Sequence, residues 1–158
     1  MESHKMFKRK QTFSFSSIIN TSPEKLFEFH CDTNNLPKIT PPWIKVKILE
    51  LTFPLEEKSQ IKLKITQYFV SQIWLMQIDK MEAPNTICDV ALKSPFKSFY
   101  HERNFTAIDE EHTELKDTIT LELPLYPLSL VAVPFVKRDM EKMFAYRHEE
   151  TKKLLERT

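Results

Sequence analysis

Phe99, His101, Arg103 and Phe105 follow one another at a spacing of two within a chain of 158 residues. In a strand, that spacing turns all four side chains to one face. Two aromatic groups beside an imidazole and a guanidinium describe an apolar surface with a polar anchor. The next segment sets Asp117, Ile119, Leu121 and Leu123 on one face. A turn centred on Glu110 brings Asp117 opposite Arg103, and a hairpin centred near Pro95 brings Asp89 opposite His101. The expected result is a cross-strand cluster of Asp89, His101, Arg103 and Asp117. A buried arginine needs a carboxylate, and the bidentate pair is its strong form. A histidine beside carboxylates can serve as a general acid or base. Three readings stand at this level: an ion-pair network that ties strands together or faces solvent, a ligand contact, and a catalytic centre.

Composition removes several other kinds of chemistry. The chain contains no glycine. Phosphate-binding loops, dinucleotide fingerprints and nucleophile elbows all need glycine where the backbone turns tightly or approaches a ligand. Net charge is +1, from 23 basic and 22 acidic residues. That lacks the basic excess of a nucleic-acid domain, so no nucleic-acid partner is expected. Residues 1–10 form a basic arm (Lys5, Lys8, Arg9, Lys10), a candidate for disorder. Cys31 and Cys88 are too few and too far apart for a disulfide scaffold or a zinc site. They read as reduced thiols, which places the protein in the cytoplasm. His4, His112 and His148 read as surface residues, and no two histidines have metal-ligand spacing. Neither metal nor cofactor is expected. The N-terminus lacks the apolar core of a signal peptide, and no apolar run reaches the ~18 residues of a membrane span.

The elements that position the cluster follow from periodicity. Phe13, Phe15, Ser17 and Ile19 alternate with Ser14, Ser16 and Ile18, the pattern of a strand. Ser22-Pro23 begins a helix, with Ser22 as cap and Pro23 at its first position. His30 falls near the end of that helix, where it caps carbonyls or stabilises the terminus, with a ligand contact as the alternative. Asn34-Asn35 breaks it, and residues 36–39 add a short second helix before Pro41-Pro42. About six period-two segments occupy Trp43 to Pro124, joined by loops of hairpin length. Among them, Trp74, Met76 and Ile78 share a face. The end of the chain is one long helix with Val136, Met140, Met143, Phe144, Arg147 and Leu154 on a single stripe. Such apolar stripes serve either as ordinary core or as a cavity wall. Residues 11–158 therefore read as one α+β domain: strand, two short helices, six strands, long helix.

Those elements carry a resemblance. Phe29-His30-Cys31-Asp32-Thr33-Asn34-Asn35-Leu36, followed by Ile39-Thr40-Pro41-Pro42, resembles the first helices of bacterial SRPBCC (START-like, helix-grip) proteins, written F-H-x-D-x-x-N-L-x-x-I-T-P. Ser94-Pro95-Phe96 with Phe99, His101, Arg103 and Phe105 is similar to G-P-F-x-x-W-x-H-x-H-x-F of the ligand-binding and cyclase-like branch. Asp117 through Leu123-Pro124, and Phe144-Ala145-Tyr146-Arg147, add two further matches in the same order. Ser94, Phe99 and Arg103 depart from the pattern, the last changing the charge of the cavity. The resemblance implies a helix-grip fold: a curved antiparallel sheet of about seven strands wrapped around the C-terminal helix. It implies binding of a small hydrophobic or amphipathic molecule, lipid-like or polyketide-like, between sheet and helix. The alternative is a cyclase or dehydratase using His101 with Asp89 or Asp117. A third reading is an interaction protein with a filled interior. The expected ligand contacts are Trp74, Met76, Asp89, Phe99, His101, Arg103, Phe105, Asp117, Phe144 and Arg147, in a monomer or homodimer. Arg147 either reaches water or closes the pocket mouth.

Overall fold

A computed structural model describes residues 8–156. Of the basic arm, residues 1–7, including His4 and Lys5, lie outside the described residues; Arg9 lies 4.8 Å above the Tyr126 ring. The first strand, β1 (Lys10–Ile19), is followed by helix α1 (Pro23–Cys31) and two single-turn 3-10 segments, Thr33–Asn35 and Pro37–Ile39. Six strands come next: β2 (Lys45–Leu51), β3 (Gln60–Gln67), β4 (Val70–Glu82), β5 (Thr86–Lys93), β6 (Ser98–Ala107) and β7 (Thr113–Glu122). A 3-10 turn at Leu128–Ala132 leads into helix α2 (Val133–Leu155). Its 23 residues span about 35 Å at 1.5 Å per residue.

The strands form one antiparallel sheet in the order β1-β7-β6-β5-β4-β3-β2. Every neighbour but one is a sequence neighbour. The exception, β1 on β7, places the first strand beside the last. Register shifts between Ile48 and Glu50, and again between Ile78 and Lys80, bend the sheet. Extra residues on one strand increase local twist and curl a sheet toward one face. On the concave face β3 and β4 set Leu63 opposite Trp74 and Ile61 opposite Met76. The β5–β6 and β6–β7 hairpins have the registers expected from their turns: Asp89 opposite His101, and Arg103 opposite Asp117.

Apolar alternation drives this arrangement. Phe13, Ile19, Leu115, Ile119 and Leu121 from β1 and β7 are buried together with Leu26 and Phe27 of α1 and Phe144 of α2. Burying a side chain of this size stabilises by roughly 1.5–3 kcal/mol. The stripe on α2 differs from the expected one at its end. Leu154 is exposed, while Leu155 packs against the core and His148 and Thr151 are fully buried. Without glycine, the chain makes its left-handed turns from other residues. Lys58, Tyr68, Phe69 and Leu125 all have positive φ, and Tyr68-Phe69 form the two-residue turn between β3 and β4.

Helix α1 starts where the sequence places it. Ser22 is the cap, and its hydroxyl accepts from the Lys25 amide at 3.3 Å. The Ser22→Ala variant is expected to lose about 1 kcal/mol of unfolding free energy in a urea titration. A loss within error of zero would show that the hydroxyl contributes nothing to helix initiation.

Candidate functional site

The polar cluster assembles on the concave face, with partners that differ from those register alone suggests. Asp117 is 2% exposed and lies at its centre. One oxygen accepts from His101 Nε2 at 2.6 Å, and the other accepts from His148 Nε2 at 2.6 Å. The opposite nitrogen of His148 meets the Ser17 hydroxyl at 2.7 Å. A chain of contacts therefore runs from β1 through α2 and β7 to β6. Burial alone would raise the Asp117 pKa. The hydrogen bonds from the two imidazoles outweigh it and hold the carboxyl well below the ordinary range.

Two expectations are corrected here. His148, read as a surface residue, is buried and clamps α2 to the sheet. Its sequence signal was its position one turn after Phe144 on the inward stripe. Ser17 gave a second signal, on the inward set of β1. Arg103 does not form a bidentate pair with Asp117. Its Nε stands 4.0 Å from Asp117 Oδ1, and its Nη2 donates across 3.5 Å to Asp89 Oδ2. Directly opposed β-carbons are about 5 Å apart. A long arginine overshoots a short aspartate at that distance, and the compact histidines take both oxygens instead.

Next to this cluster the concave face encloses two adjoining hollows. The larger is about 220 Å³ and lies between β3–β6 and α2. The smaller, about 70 Å³, lies under the 3-10 turns and the end of α1. Ligand pockets ordinarily begin near 300 Å³, so the space suits a compact molecule rather than a long chain. Trp74, Met76, Asp89, Phe99, His101, Arg103, Phe144 and Arg147 all line the larger hollow. Trp74 and Phe99 meet edge to face at 5.1 Å, and Phe96 stacks on Phe99 at 5.6 Å, so one end of the hollow is aromatic. Phe144 stacks on Phe15 at 4.8 Å and carries Arg147 above its other side at 5.0 Å.

Two of the expected contact residues lie elsewhere. Phe105 is fully buried beneath the hollows, edge-on to Phe27 at 6.1 Å and against His30 at 5.1 Å; it is core. Asp117 sits behind His101 and Arg103 and does not itself line the hollow. Sequence reading missed Val136, Met140 and Leu36 as wall residues, while His30, with a ligand contact as its alternative role, lines the smaller hollow. Val136 and Met140 lie on the inward stripe of α2, and a stripe does not by itself tell core from wall.

The electrostatics divide the polar groups. Burial lowers the pKa of His101, and the neighbouring Arg103 cation pushes the same way. The His101 ring is neutral at pH 7, with its remaining nitrogen 3.7 Å from Asp89 Oδ1. His30 donates to the Leu26 carbonyl at 2.8 Å, which is the carbonyl-capping role. Burial, aided by Arg103, lowers its pKa to about 4, so it acts without charge. Arg147 is brought down to about 10 by burial, against the pull of Asp117, and remains a cation. Among the described residues no group of histidine, cysteine and carboxylate side chains is arranged to hold a metal ion, and no helix is long and apolar enough to cross a membrane.

No protein-family model matches this sequence, and no curated protein matches it. Solved structures do match. A START superfamily protein from Mycobacterium smegmatis superposes with a TM-score of 0.71 at 16% identity, over 92% of this chain and 97% of that one. The di-domain ARO/CYC StfQ of the steffimycin biosynthetic pathway matches with 0.75 at 10% identity, over 99% of this chain and 54% of that one. Norcoclaurine synthase from Thalictrum flavum, in complex with dopamine and hydroxybenzaldehyde, matches with 0.70 at 7% identity, over 98% and 91%. The chain has the SRPBCC (START-like) helix-grip fold.

The Asp117→Ala variant leaves two buried imidazole N–H groups without an acceptor. It is expected to cost about 3–5 kcal/mol in a denaturant melt. Arg103→Ala, which breaks two longer contacts, is expected to cost less than half as much; the reverse order would displace Asp117 as the centre of the cluster. A second prediction concerns acid. The folded pKa of His30 lies below its unfolded value of 6.5, so the unfolded chain takes up that proton first. The stability gained by keeping His30 neutral is complete above pH 6.5 and is lost as pH falls through about 4. Urea melts between pH 7 and 4 are expected to show a shallower loss for His30→Phe than for the parent protein. Equal slopes would contradict a buried neutral imidazole.

Proposed function

We propose that this helix-grip protein binds a compact hydrophobic or amphipathic molecule, aromatic in character, between its sheet and α2. One observation carries the reading: a hollow of about 220 Å³ with an aromatic end at Trp74 and Phe99 and a polar end at His101, Arg103 and Arg147. Apolar walls supply affinity, and a few convergent polar groups set orientation. The aromatic ligands held by the Thalictrum synthase in the same fold support a compact aromatic occupant over a fatty-acid chain. The free thiols Cys31 and Cys88 suit a reducing, cytoplasmic setting.

A second reading is supported by the 2.6 Å contact of His101 with Asp117. The carboxylate accepts a hydrogen bond from Nε2–H and leaves the other imidazole nitrogen as a base, the arrangement a cyclase or dehydratase would use on a ligand held in the hollow. The first test is calorimetric. Naphthalene-sized aromatic probes are expected to saturate one site per chain, and Met140→Trp, which grows into the hollow from α2, is expected to weaken them at least tenfold. Unchanged affinity in that variant would place binding elsewhere. His101→Ala separates the two readings. A carrier keeps its function once the probe binds, whereas an enzyme keeps probe binding and loses turnover.

A further inference from the structure

Two polar atoms at the inner end of the hollow have no hydrogen-bond partner among the described residues: Asp89 Oδ1 and Arg147 Nε. Both are enclosed, and the Asp89 side chain is only 9% exposed. Both residues line the larger hollow and the smaller one, so they stand where the two spaces meet. One is an acceptor and the other is a donor. An orphaned buried polar group costs about 1–3 kcal/mol, more when charged, so two such groups on residues that line the same hollows call for something that satisfies both.

The rest of the cluster cannot satisfy them. Both Asp117 oxygens are taken by His101 and His148. Arg103 leans on the other oxygen of Asp89, and His101 Nδ1 stands off at 3.7 Å from the orphaned one. Arg147 has its Nη2 against the Met143 sulfur at 3.8 Å and its guanidinium over the Phe144 ring, and no carboxylate lies within ion-pair distance of it among the described residues. At this point of the hollow the charged groups of both signs are already present, Arg103 and Arg147 beside Asp89, while Asp139 on the same wall is engaged by Gln67 and Tyr68. A ligand carboxylate would satisfy Arg147 but press a second anion on Asp89. An amine would do the opposite. An ether or ketone alone would leave Asp89 unsatisfied.

We infer that the hollow recognises a neutral hydroxyl head group, a phenol or an alcohol, that donates to Asp89 Oδ1 and accepts from Arg147 Nε. This rests on the reading of the hollow as a site for a compact aromatic molecule and adds the chemistry of its polar end. Discrimination of this kind is large, because a ligand lacking the donor leaves a buried carboxylate oxygen unpaired.

The test compares four probes of one skeleton by calorimetry at pH 7: naphthalene, 2-naphthol, 2-methoxynaphthalene and naphthalene-2-carboxylate. The expected order places 2-naphthol at least tenfold tighter than each of the other three. In Arg147→Met the advantage of 2-naphthol over naphthalene, measured as the ratio of the two affinities in the same variant, is expected to shrink at least threefold. The same variant is expected to melt no lower than the parent, because it removes a buried cation without an ion-pair partner; its melt verifies that it folds. In Asp89→Asn the preference for 2-naphthol over 2-methoxynaphthalene is expected to fall, because the amide can donate to the ether oxygen. Tightest binding by the carboxylate would make this an anion site and overturn the inference. Equal binding of naphthalene and 2-naphthol would overturn it while leaving the apolar hollow intact as a binding site. Failure of all four probes would remove both.

Discussion

The molecule depends on one buried carboxylate that accepts hydrogen bonds from two imidazoles. Asp117 alone on β7 would be a buried charge with a heavy desolvation cost. His101 approaches it from β6 and His148 from α2, each at 2.6 Å, and Ser17 of β1 backs His148. Four separate elements are thereby held in register by hydrogen bonds that apolar packing cannot direct. Hydrophobic contact presses the apolar stripe of α2 onto the sheet, and a directional hydrogen bond fixes its rotation more finely. The His148 contact lies on that same inward side of α2 and locks it. That orientation places Met140, Phe144 and Arg147 on the hollow.

The cluster also explains why the hollow stays polar at one end. Asp117 consumes the hydrogen bonds of the two histidines and leaves Arg103 to share Asp89 at 3.5 Å. Arg147 arrives on the same helix turn as Phe144 and finds an aromatic face rather than a carboxylate. The interior thus holds a satisfied network beneath and an incompletely satisfied one at the cavity wall. The aromatic end, built from Trp74, Phe96 and Phe99, has no such constraint and closes by ring contacts alone.

Much of this was legible in the sequence because strand periodicity and turn positions are local. The Pro95 and Glu110 turn centres sufficed to place Asp89 opposite His101 and Arg103 opposite Asp117. Side-chain reach was not legible. Backbone register says which residues face each other, whereas an arginine and an aspartate of unequal length take diagonal partners. His148 escaped because a histidine on a helix rich in lysine and glutamate looks solvated until the partner element is known. Phe105 has the same spacing as Phe99, and only the packing of α1 decides that one is core and the other is wall. The size of the hollow follows from the bend of the sheet at its register shifts, which no residue pattern dictates.

The absence of glycine has a spatial consequence. Left-handed backbone costs an ordinary residue roughly 1–2 kcal/mol, and this chain accepts that conformation at Lys58, Tyr68, Phe69 and Leu125. None of those four residues lines either hollow. The conformational burden is thus exported to loops and a hairpin tip, while the strands bearing the polar cluster keep relaxed geometry. Resilience can therefore be engineered at the periphery, one loop position at a time, without altering the shape that a guest molecule meets.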